Sequence, residues 1–69
     1  MTVIKTSLEA KKRTPNWLAQ RVGGNRTRVY EVAKGFSRAS SPLRKRIAEV
    51  LGANVEELFD ENGMARRAE

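Results

Sequence analysis

The chain has 69 residues, with 14 Lys plus Arg, 8 Asp plus Glu, and neither His nor Cys. That length supports one small domain with a marginal core, and without cysteine no disulfide or thiolate metal site reinforces it. Without His and Cys the usual general base, thiol nucleophile and transition-metal ligands are missing, which argues against an enzyme or a cofactor, while the net charge of +6 points to a polyanionic partner.

Apolar residues recur with helical rather than strand period, and Gly and Pro stand at the joints, so the expected class is all-α, a compact bundle of five short helices. Val3, Ile4 and Leu8 mark the stripe of a first helix ending near Lys12. Thr14 caps a second helix opened by Pro15, which has no N–H to leave unsatisfied there. Leu18, Ala19 and Val22 form its stripe, and Gly23 and Gly24 stop it.

Asn25 caps a third helix, about 26–34, in which Val29, Val32 and Ala33 share one arc. Thr27, Tyr30, Glu31 and Lys34 fall on the outer face, flanked by Arg26 and Arg28, and Gly35 ends the helix. Residues 36–41 read as a loop, with Phe36 directed into the core. Ser41 followed by Pro42 repeats the cap-plus-proline signal, and Leu43, Ile47, Val50 and Leu51 form the stripe of a fourth helix stopping at Gly52. Asn54 with Glu57 approximates a capping box for a short fifth helix that carries Val55, Leu58 and Phe59 inward. The domain is therefore expected over residues 1–60, with 61–69 a flexible tail.

The charge is sharply divided along the chain. Residues 1–48 hold twelve cations against Glu9 and Glu31, a balance of +10, whereas 49–69 hold Arg66 and Arg67 against six acids, a balance of −4; the two sum to +6. A basic body with an acidic end suits a protein with one face toward phosphate, and a merely solvated basic surface is the plainer alternative. No apolar run approaches the eighteen or so residues of a membrane span, and no signal-peptide stretch opens the chain, so a cytoplasmic protein without membrane contact is expected.

From Thr14 to Gly35, two helices of about eight residues are joined by a short glycine turn, which is helix-turn-helix spacing. An ordinary helical hairpin would show the same periodicity. The ordered elements Thr14, Leu18-Ala19, Gly23, Val29, Val32, Gly35, Ile47-Ala48, Leu51-Gly52 and Glu57-Leu58-Phe59 decide more, because their spacing holds from roughly Ile4 to Phe59. In these residues the chain resembles the lambda-repressor-like, Cro-type (xenobiotic-response-element) helix-turn-helix family. Trp17-Leu18-Ala19 behind an Ile4 to Leu8 helix is similar to small regulators of phages and other mobile elements.

The resemblance implies double-stranded DNA as partner, with the third helix in the major groove and base contacts from Arg26, Thr27, Arg28 and Tyr30. Arg can bond bidentately to guanine, while the Thr methyl and Tyr ring can meet a thymine methyl; for both arginines, phosphate contact without sequence reading is the alternative. Glu31 is expected to position Thr27 or Arg28 rather than to meet a base. Where the family often has Gln at the start of the second helix this chain has Pro15, so Asn16 or Thr14 takes over the phosphate contact. The other expected phosphate contacts are Asn25, Lys34, Ser37, Arg38, Ser40, Ser41 and Arg44. Arg44, Lys45 and Arg46 support this, because cations in the first turns of a helix oppose its dipole and so suggest an anion nearby.

Trp17 is expected to cover the first helix rather than stack on the sugar-phosphate edge. Leu58, Phe59 and Met64 are candidate dimer contacts, or equally plain core; a two-fold dimer would set two recognition helices roughly 34 Å apart on a near-palindrome. The function expected from all this is a transcriptional regulator, a repressor acting by promoter occlusion. The alternatives are an excisionase-like recombination or architectural factor, and an antitoxin-like interaction module with secondary DNA binding.

Overall fold

The computed structural model describes residues 2–68. Five helices follow in order, α1 (Val3–Ala10), α2 (Pro15–Val22), α3 (Arg26–Lys34), α4 (Ser41–Leu51) and α5 (Val55–Leu58). Their order and type agree with the all-α reading, and no helix among the described residues is long and apolar enough to cross a membrane.

Local capping explains most of the boundaries. Thr14 Oγ1 accepts from the Trp17 N–H at 3.1 Å and Asn25 Oδ1 from the Arg28 N–H at 3.1 Å, so each side chain satisfies a donor that its helix leaves free. Gly35, at φ 86°, ends α3 in the left-handed region, and the Phe36 N–H reaches back to the Glu31 carbonyl at 2.8 Å. The fourth cap differs from the sequence expectation. Ser40, not Ser41, accepts from the Leu43 N–H, which moves Pro42 to the second helical position, where its missing N–H is still harmless.

Most of the core comes from the predicted stripes: Ile4 and Leu8 from α1, Leu18 and Val22 from α2, Val29 and Val32 from α3, Ile47 and Leu51 from α4, all buried. Val3, Leu43, Val50 and Val55 close its margin as half-buried side chains. Ala19 is buried where α2 packs on its neighbours, as its small volume suits.

At the C-terminal end one open choice is decided and one expectation is corrected. Leu58 and Phe59 are buried in the core of their own chain, so they offer no surface to a second copy; only Met64 stays half-exposed. The segment expected to fray from about Asp60 instead folds back. Phe59 and Ala65 form an antiparallel bridge, and the Asp60 carboxylate accepts from the N–H groups of Asn62 and Met64 at 2.9 and 3.0 Å, closing the turn. Arg66 then donates its N–H to the Leu58 carbonyl and accepts from the Val3 N–H, both at 2.8 Å, while Thr2 and Arg67 bridge beside it. The signal was present in Asn62-Gly63, a dipeptide suited to tight hairpin turns, with Gly63 at φ 83°.

Phe36 is a further correction. It is 74% exposed rather than in the core, because Ala39 takes the buried seat beneath the loop and its N–H is held by the Gly63 carbonyl at 3.0 Å. The approach is close, for a Cβ at Gly63 would lie 3.0 Å from the Ala39 carbonyl oxygen.

Candidate nucleic-acid interface

Burial of Val29, Val32 and Ala33 fixes the rotation of α3 and leaves Arg26, Thr27, Arg28 and Tyr30 exposed. Asn16, near the start of α2, joins Arg26, Thr27 and Tyr30 around one open hollow of about 310 Å³. Three of the four expected base contacts thus meet Asn16, one of the two residues expected to replace the missing Gln, while Thr14, the other, is not among the lining residues. Arg28 is exposed outside that hollow. The four lining side chains offer the chemistry that base edges and phosphates require: a guanidinium fork, a carboxamide, a hydroxyl with its methyl, and a phenol.

Lys34 lies one turn beyond Tyr30, with its Nζ 4.8 Å from the ring centroid. Hydrogen bonding to Lys34, and then its charge, holds the Tyr30 hydroxyl below the usual phenol range. Lys5 on α1 adds a weaker push in the same direction, so two cations flank this aromatic.

The caps Thr14 and Asn25 are exposed and keep donors after capping, namely the Thr14 hydroxyl proton and the Asn25 amide. Arg38, Ser40 and Ser41 are also exposed along the loop and the start of α4. Ser37 is otherwise engaged, because its hydroxyl donates to Glu31 Oε1 at 3.3 Å. Glu31 therefore steadies the loop that follows α3 instead of positioning Thr27 or Arg28.

The cationic start of α4 splits into separate roles. Arg46 donates from Nε to the Val22 carbonyl at 3.0 Å and so occupies the C-terminal end of α2, where a cation is favourable. Arg44 is half-buried over the C-terminal turn, its Nη1 3.1 Å from where a Gly63 Cβ would stand. Lys45 stays exposed. The unfavourable dipole placement of Arg46 thus has an internal cause, which sequence reasoning assigned to an external anion.

Trp17 packs half-buried against the core, and the guanidinium carbons of Arg13 and Arg21 lie over its ring at 4.9 and 5.8 Å from the centroid. The Arg21 contact follows the i, i+4 spacing of α2, whereas Arg13 stands ahead of the Thr14 cap and reaches the ring from outside the helix. Compared with family models, curated proteins and solved structures, the chain matches none of them.

Proposed function

We propose that the chain is a sequence-specific double-stranded DNA-binding regulator, a repressor acting by promoter occlusion, in which α2 and α3 form a helix-turn-helix. The observation that carries this reading is the shared hollow of Asn16, Arg26, Thr27 and Tyr30 at the N-terminal ends of α2 and α3. Polar side chains converge there on the exposed face of a helix whose opposite side is locked into the core. In this reading α3 enters the major groove, Arg26, Thr27, Arg28 and Tyr30 meet base edges, and Asn16, Arg38 and the serines at the start of α4 meet phosphates. The protein acts as a homodimer on DNA through a surface that excludes the buried Leu58 and Phe59.

Selection of bound sites from random duplex DNA at about 150 mM salt, where nonspecific phosphate binding is weakened, tests the proposal. The expected result is a near-palindromic motif with half-sites about one helical turn apart. Binding that persists only at low salt, with no motif, would overturn it in favour of an architectural factor.

A further inference from the structure

Beyond the far end of α3 lies a second hollow of about 530 Å³, walled by Lys34, Phe36, Asp60, Met64, Arg66 and Arg67. A smaller hollow of about 160 Å³ adjoins it, sharing Lys34 and Phe36 and adding Lys5. Phe36 is the most exposed large apolar side chain of the described residues and stands among four cations. Leaving a phenyl ring in water forfeits the free energy of its burial, while the small Ala39 takes the core seat nearby.

We infer that this surface binds an unpaired nucleic-acid strand, one base stacking on Phe36 while Lys34, Arg66 and Arg67 hold the flanking phosphates. The chemistry is that of single-strand binding surfaces, where exposed aromatic faces supply stacking and a surrounding cationic track supplies charge. The main hollow falls within the size range of small-ligand sites, so a base with its sugar can enter it. Arg66 is already oriented, since its Nε donates to the Glu56 carbonyl at 2.8 Å, leaving its terminal nitrogens for a ligand. Asp60 places one carboxylate on the wall, which suits a base edge carrying an N–H donor, such as the N3–H of thymine, and repels a phosphate.

Charge and shape weigh against the other occupants. A second copy docked symmetrically would bring Lys34, Arg66 and Arg67 toward their own images, which is unfavourable. An acidic protein segment would satisfy the cations, yet it has no need of an aromatic rather than an aliphatic anchor. That difference is what the experiment measures, and it does so whether or not the duplex reading holds.

The probe is a fluorescein-labelled oligothymidine, titrated with the whole chain and followed by anisotropy. Phe36→Leu keeps the apolar volume without the π face and is expected to weaken binding about tenfold, while Phe36→Trp stays within about twofold of wild type. Arg66→Ala and Arg67→Ala should each reduce the salt slope by about 0.7 for a lost phosphate contact. Phe36 is so exposed that its replacement leaves the core intact, which thermal unfolding of each variant checks. Equal affinity of Phe36→Leu and wild type would overturn the proposal. So would poly-glutamate competing as well as unlabelled single strand, which would assign the surface to acidic protein, or a parallel tenfold-scale loss of duplex binding, which would merge it with the duplex face. Loss of a dimer on Phe36→Leu, seen by sedimentation, would assign it to a second copy instead.

Discussion

The hydroxyl of Thr2 donates to the main-chain carbonyl of Ala33, 31 residues away, while its oxygen accepts from the Lys5 N–H at 3.2 Å. One buried side chain thus caps α1 and ties it to the last turn of α3. Thr2→Val keeps the shape and removes both bonds, so unfolding in denaturant should show a loss of about 2 kcal/mol, with Thr2→Ser close to wild type. A neutral Thr2→Val would show that α1 docks by its apolar stripe alone.

Lys12 is the one non-glycine among the described residues with positive φ, at 57°, between α1 and α2. Side chains there cost about 1 kcal/mol relative to glycine. Lys12→Gly should therefore raise the melting temperature by about 4–8 °C, as a gain of that size does in a domain this small. A lower melting temperature would mean that the lysine side chain compensates for the strain.

Gly63 presents the opposite case. Its φ of 83° and the 3.0 Å approach of the Ala39 carbonyl leave no room for a methyl group. Gly63→Ala should cost about 2 kcal/mol and loosen the 59–67 turn, visible as faster amide exchange at Ala39 and Arg66. Unchanged exchange there would disconnect the turn from the loop.

Arg38 and Arg46 should separate binding from folding. Arg38 is exposed on the loop after α3, and Arg38→Ala should weaken all duplexes about equally and lower the salt slope by about one unit. Arg46→Ala loses its bond to Val22 and should cost about 1 kcal/mol of stability while leaving the slope unchanged. A slope that falls with Arg46 and not with Arg38 would reverse these roles.

Tyr30 is the sole tyrosine, so ultraviolet absorbance titration reads it alone. Its ionisation should fall below 10.0 and return upward in Lys34→Gln, since Lys34 stabilises the phenolate. An identical titration in both proteins would place the Lys34 ammonium away from the ring.

Local sequence sets the number and order of the helices and most of their ends, although α4 is capped by Ser40 rather than Ser41 and α1 stops at Ala10, short of Lys12. Those features rest on local chemistry, as in Thr14 before Pro15, Asn25 before α3, and Gly35 and Gly52 in left-handed termini. It also determined which arc of each helix is buried, because the helical period alone places Val29, Val32 and Ala33 together and leaves Arg26 and Thr27 outside. Tertiary structure decided what an apolar side chain at an element's edge does, since periodicity does not show how much space remains beneath a loop. Hence Phe36 stands in solvent above a seat filled by Ala39, while Leu58 and Phe59 are sealed in by the returning 60–67 segment. Tertiary structure likewise decided the partners of long polar side chains. Arg46 reaches Val22 and Arg66 reaches Glu56 across 24 and 10 residues, and only the packing of whole elements brings such groups within bonding distance.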